Sequence, residues 1–202
     1  MTPGFMCVIK INLGGVDMPE AKRVRFLDPA DVSQAIAEIA RLSLEGGIDL
    51  DELAIIGGVA MVAHGSDRFT RDVDLASYDD LPPGLRIVKQ LAFGGVSALT
   101  PAGHPVDVVV RSDDYRDLYC DAIDHATDVG FPLRVVTAEF LVALKMAAAR
   151  DKDVLDLKKL VSLGIVNLAA AREIVGEHLG RYAARELDKI VVEVAWLKSR
   201  EG

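Results

Sequence analysis

The chain is poor in cysteine, in aromatic residues and in positive charge, and it has no long uninterrupted hydrophobic run. Its two cysteines, Cys7 and Cys120, are too few and too far apart for a disulfide framework or a zinc site. A reducing compartment is the simpler reading, with both thiols expected to be small buried hydrophobes. Lysine and arginine number 23 against 31 acidic residues, a net charge of −8. That balance disfavours broad electrostatic capture of nucleic acid and leaves room only for a local basic cleft. One tryptophan does not make a base-stacking platform. The apolar stretches are shorter or more broken than the roughly 20 residues a bilayer span requires. No basic segment precedes an apolar one at the start of the chain, so a cytoplasmic protein without a membrane partner is expected. Repeats and low-complexity linkers are also missing. What remains is 202 residues, 50% of them hydrophobic, enough to bury a core as one compact domain or two small lobes.

Residues 1–27 are irregular in pattern, with a short strand expected at 7–11 and a Gly-Gly turn at 14–15. From Asp28-Pro29 the apolar spacing becomes helical and holds to Gly46-Gly47, predicting a helix over 29–45. A short buried strand over 53–56 then ends in Gly57-Gly58, with a short helix over 59–64. Alternation over 71–77 reads as a half-buried strand with Val73 and Leu75 inward. Pro82-Pro83 opens an expected helix to about residue 92. Runs at 96–99 and 106–110 flank a Pro- and Gly-containing turn as a hairpin. A helix at 113–126 and a strand at 133–136 follow, and everything beyond Thr137 reads as helical, at 137–150, 153–163, 167–180 and 182–199. Strands first and helices last predict an α+β fold. Its domain organisation would be an N-terminal segment with an α/β core over 1–136 and a helical lobe over 137–202, the boundary being soft.

Chemistry is carried by few positions. Gly57-Gly58, placed after a buried strand and before a helix, would let backbone amides approach a phosphate without a Cβ in the way. Asp72 and Asp74, at i and i+2 on a strand, point to one face and could share a divalent cation. Either feature alone is an ordinary surface turn or loop; their order and spacing favour a site. Asp107 stands inside Pro105-Val106-Asp107-Val108-Val109-Val110, where an ionised carboxylate needs a partner or a metal. The plain alternative is an edge-strand acid facing water.

Taken together, Ile56-Gly57-Gly58, Asp72-Val73-Asp74-Leu75 and Val106-Asp107-Val108 resemble the pattern of the nucleotidyltransferase (DNA polymerase β-like) superfamily. Within it the chain looks most like the minimal bacterial enzymes grouped with the AbiEii-type toxins of type IV toxin–antitoxin systems. That closer likeness rests on Gly57–Ala60 with His64-Gly65, on Arg68-Phe69-Thr70-Arg71-Asp72-Val73-Asp74, and on the stretch from Leu144 through Lys145, Arg150, Asp153 and Asp156 to Leu157.

The resemblance implies a nucleotidyltransferase-like mixed sheet followed by a helical lobe. It also implies two magnesium ions, or manganese, about 4 Å apart, held by Asp72, Asp74 and Asp107. A nucleoside triphosphate, ATP among the candidates, would give its nucleotidyl group to a hydroxyl on RNA, protein or a small molecule. Gly57 and Gly58 would position its phosphates, and a small antitoxin protein would be the partner. Lys145 would reach the cleft and hold a phosphate; the alternative is a surface lysine snorkelling from an apolar helix. Arg68, Thr70 and Arg71 could bind triphosphate oxygens, or the arginines could balance Asp72 and Asp74. Asp153 could face the nucleotide or belong, with Arg150, Lys152 and Asp156, to an ion-paired helix face.

His64 reads as a packing or capping residue, and His104 and His125 as solvated. Trp196 is expected to pack the helical lobe or a homodimer contact. The competing functional class is a non-catalytic nucleotidyltransferase-fold module with a binding or regulatory, antitoxin-like role. Three clustered carboxylates would repel one another there to no purpose.

Overall fold

Asp28 starts the first helix as the sequence predicts: its carboxylate accepts a hydrogen bond from the Asp31 amide at 2.8 Å, and Pro29 occupies the first turn. A computed structural model describes residues 26–201, so the expected strand at 7–11, the turn at 14–15 and Cys7 lie outside the described residues. Helix α1 (Pro29–Glu45) buries Ile36, Ile39 and Leu42. After a 3-10 turn at Leu50–Glu52 come β1 (Leu53–Ile56), α2 (Gly57–Ala63), β2 (Val73–Ser77), β3 (Arg86–Gln90), β4 (Val96–Leu99) and β5 (Pro105–Val109). The remaining elements are α3 (Arg116–Asp124), β6 (Arg134–Val135), α4 (Ala138–Ala148), α5 (Asp151–Leu163) and α6 (Leu168–Glu201).

The strands form one mixed sheet in the order β3-β4-β5-β2-β1-β6. Two pairings decide where function sits. The first is antiparallel, β1 with β2, and sets Ile56 opposite Asp74; the second is parallel, β2 with β5, and sets Asp74 beside Asp107. Leu53 to Ile56 are buried on both faces, as expected of a central strand. The hydrophobic core runs from Ile55, Leu75 and Val108 of the sheet into Leu141, Leu157, Leu160 and Leu187 of the last three helices. The α+β arrangement with a helical C-terminal part is therefore present. No described helix is long and apolar enough to cross a membrane.

One expected element is wrong in kind. No helix follows Pro82-Pro83; residues 86–90 are a strand, antiparallel to β4. β-branched Ile87 and Val88 suit an extended edge, and the helix start that Pro82-Pro83 offers had no buried face to serve, since every residue of β3 is exposed. Boundaries shift elsewhere: β2 begins at Val73, and α2 begins at Gly57 itself. The expected break between the last two helices is a kink at Gly180, with φ 83°.

Side-chain expectations divide similarly. His64 is a packing residue whose Nε2 lies 2.8 Å from the Val136 carbonyl. His125 is exposed and stacks on Phe140. His104, expected to be solvated, is instead half-buried, with Nδ1 3.4 Å from Glu38. Cys120 is half-buried, and burial pushes its thiol pKa up. Trp196 is 54% exposed under the Arg200 guanidinium, not enclosed in the helical part.

Candidate active site

Alternation along β2 turns Val73 and Leu75 into the core, both fully buried, and leaves Asp72 and Asp74 on the other face. The same alternation on β5 buries Val106 and Val108 and frees Asp107. Because Asp74 and Asp107 are register partners on adjacent parallel strands, their side chains emerge together. Oxygens of Asp72, Asp74 and Asp107 lie within 4.8 Å of one another, an all-oxygen donor set that could hold a hard cation. They stand in a cleft of about 640 Å³, to which Leu141, Leu144 and Lys145 of α4 contribute.

The local electrostatics follow from that crowding. Burial, then the neighbouring Asp72 charge, pushes the Asp74 carboxyl up to about 6, against a lowering by the Gly58 amide. Asp72 is also raised, by burial first and then by Asp107, while Lys152, Arg68 and Arg71 pull it down. A raised carboxyl means that the folded state holds a proton which the unfolded chain has lost. Asp74's contribution is therefore fully present below 3.8 and is lost as pH rises to about 6. Melting temperatures in chelator should fall across that interval for the wild type and stay flatter for Asp74→Asn. Parallel curves would refute the assignment.

The glycine pair has a visible task at this carboxylate. Gly57 adopts φ +62°, and a Cβ there would lie 1.9 Å from Asp74 Oδ2. The Gly58 amide donates to the same oxygen at 3.2 Å. Gly58 also has no room for a side chain, since a Cβ would sit 2.6 Å from Thr70 Oγ1. Gly57→Ala should cost about 1–2 kcal/mol from the left-handed backbone alone. It should also displace the Asp74 carboxylate and abolish the thermal shift produced by divalent cations. An unchanged cation response would show that the close approach is incidental.

The other expected site residues are placed unevenly. Thr70 is buried and donates to the Asp72 carbonyl at 2.8 Å, so it shapes the loop that delivers the first aspartate. Arg68 and Arg71 line the cleft; Arg68 pairs with Asp156, and Arg71 lies 5.0 Å from the Phe26 ring centroid. Lys145 is no snorkelling surface lysine. It is 5% exposed and donates to Asp153 at 3.0 Å and Asp156 at 2.7 Å. Asp153 is fully buried, is not among the cleft-lining residues, and also accepts from Arg150 Nε at 2.6 Å. Burial opposes its ionisation, but the Arg150 hydrogen bond and the Lys145 charge hold its pKa below the usual value. A left-handed turn at Ala149, φ 49°, joins α4 to α5 and so brings these partners together.

Sequence reasoning missed four further residues that line the cleft: Phe93, Arg111, Tyr115 and Tyr119. Arg111 could have been found, since residues 107, 109 and 111 share a face if the strand direction is continued. No spacing points to Phe93, which lies between the helix expected to about residue 92 and the strand expected at 96–99.

Neither a protein-family model nor a curated protein sequence matches the chain. Among solved structures, a crystal structure of a protein from H. pylori, provisionally named a nucleotidyltransferase, is similar at 14% identity, a TM-score of 0.47, and coverage of 87% of this chain and 99% of that one. So loose a superposition carries no functional weight.

Proposed function

We propose that the cleft is the active site of a divalent-metal-dependent nucleotidyltransferase, which moves a nucleoside monophosphate group from a nucleoside triphosphate to a hydroxyl of RNA, protein or a small molecule. The observation that supports it best is the register pairing of Asp74 with Asp107, which turns Asp72, Asp74 and Asp107 into one three-carboxylate cluster in a cleft bordered by cations. Burial first, and then the charges of the neighbouring carboxylates, raise Asp72 and Asp74, and a bound cation would relieve the repulsive part. Magnesium or manganese held by these three residues would neutralise phosphate charge and sharpen a hydroxyl nucleophile.

The chain's own residues do the rest. The acceptor oxygen bonds to the α-phosphorus in line as the bond to pyrophosphate breaks, so the cleft must hold both reactants rather than supply a covalent intermediate. Arg71 and Lys152, on the Asp72 side, offset charge on the departing pyrophosphate. Arg68 contributes there while tethered to Asp156. Lys145 lines the cleft while it pairs with Asp153 and Asp156, which lie behind it, and the three brace the α4–α5 corner that carries Lys152.

The toxin role, in the cytoplasm and beside a small antitoxin, is supported by the sequence pattern from Arg68 to Asp74 and from Leu144 to Leu157. Incubating the protein with α-phosphate-labelled nucleotides, magnesium and a cell extract should label one class of acceptor. If no label transfers, and neither magnesium nor nucleotide raises the melting temperature, the enzymatic reading fails.

A further inference from the structure

We propose that Phe93, Arg111, Tyr115 and Tyr119 form the nucleoside end of the cleft, where a planar base lies on exposed rings while its phosphates run across the carboxylates toward Arg71 and Lys152. This rests on the nucleotidyl-transfer reading and adds the direction in which the substrate lies.

The parallel pairing of β2 and β5 makes the two ends of the cleft distinct. Residues that precede Asp72 leave the carboxylates at one end of the strands, and residues that follow Asp107 leave at the other. The first end carries Arg68 and Arg71, and the charge of Lys152 acts with theirs on Asp72. The second continues from Asp107 through Val109 to Arg111. Although Arg111 is a cation, Asp113 occupies its Nη2 at 2.6 Å and its Nε at 2.9 Å. Its guanidinium lies 5.3 Å from the Phe93 centroid, 5.0 Å from Tyr115 and 5.3 Å from Tyr119, so its planar group joins three rings. Arg150, the other lining cation whose charge reaches Tyr119, is likewise engaged by a carboxylate, that of Asp153. Phe93 and Tyr115 are 42% and 36% exposed, leaving ring surface open to a ligand.

The surface is built rather than accidental. Phe93 sits in the β3–β4 turn, and the two glycines after it press that turn against β5. A Cβ on Gly94 would lie 2.1 Å from the Val110 carbonyl oxygen, and one on Gly95 2.0 Å from that of Val108. Only glycine permits that approach, which fixes Phe93 beside Arg111.

A nucleotide is linear in charge: its α-phosphorus must sit at the carboxylates, with the outer phosphates on one side and the base on the other. The highly charged tail belongs with the cations, and the base with the rings. Phe26 and Phe69 are also exposed, but Arg71 lies over Phe26, and that end is assigned to phosphate.

Calorimetric titration of the full chain with magnesium, using each ribonucleoside triphosphate and inorganic tripolyphosphate, tests this. Phe93→Ala combined with Tyr115→Ala should weaken the best nucleotide about tenfold, the scale of a lost base-stacking contact. Its tripolyphosphate affinity should be unchanged, whereas Arg71→Ala with Lys152→Ala should weaken both ligands. In a separate Phe93→Trp variant, nucleotide should quench the new indole and tripolyphosphate should not. Unchanged nucleotide affinity in the Phe93/Tyr115 variant, an equal loss for tripolyphosphate, or loss on Phe69→Ala instead would each overturn the orientation. A wild type that binds neither ligand would fail the nucleotidyl-transfer reading itself.

Discussion

Asp74→Asn should abolish nucleotidyl transfer while leaving the protein folded and, without metal at neutral pH, more stable than the wild type. The two effects have one cause. Asp74 is the middle carboxylate of three whose oxygens lie within 4.8 Å, and burial together with the Asp72 and Asp107 charges already disfavours its ionised form. Replacing it with an amide removes a charge from that repulsion and keeps an oxygen for the Gly58 amide to donate to. A gain of about 1 kcal/mol would raise the melting temperature of a chain this size by roughly 2–4 °C. The same change takes away an anionic ligand where charge must be neutralised during transfer, so activity should fall by roughly a hundredfold or more. Labelling assays and melting curves in chelator measure the two separately. Retained activity would remove Asp74 from the chemistry; a large destabilisation would mean that its charge holds the fold.

Lys145→Ala carries the largest expected cost in stability, about 3 kcal/mol by chemical denaturation. Lys145 is buried against Asp153 and Asp156, and truncating it leaves two buried carboxylates short of a cation as well as a gap along α4. The low end of the range for broken buried pairs applies, because Arg150 still meets Asp153 and Arg68 still meets Asp156. The experiment also decides between two roles. Loss of activity without loss of stability would return Lys145 to the phosphate. A stability loss partly reversed by adding Asp156→Asn would identify it as the brace of the α4–α5 corner.

These two residues also show how far a linear reading reaches. Asp72 and Asp74 were legible because a strand repeats every two residues, a rule contained within three positions. The burial of β1, the cap at Asp28 and the break near Gly180 were legible for the same reason: each is a local preference that packing did not override. Over residues 86–90 locality failed. Pro-Pro-Gly followed by apolar residues fits a helix start, but pairing with β4 and the seat of Gly94-Gly95 on β5 required an edge strand. For the same reason Phe93, carried by that hairpin, could not be found. Lys145 stands out in the sequence as a lone charge in an apolar helix, yet its partners lie 8 and 11 residues away, across a left-handed corner at Ala149 that no spacing announces.

By itself, the sequence determined which residues can do chemistry: three aspartates in strand contexts, two glycines ahead of them, and a set of nearby cations. Tertiary structure decided how they combine. Parallel pairing of β2 with β5 set Asp107 beside Asp74, and the left-handed backbone of Gly57 made room for a carboxylate. It also brought Phe93, Arg111, Tyr115 and Tyr119 to the same cleft as the carboxylates. Periodicity fixes which face a side chain takes within its own element, but the neighbour across the sheet is chosen by burial summed over the whole core.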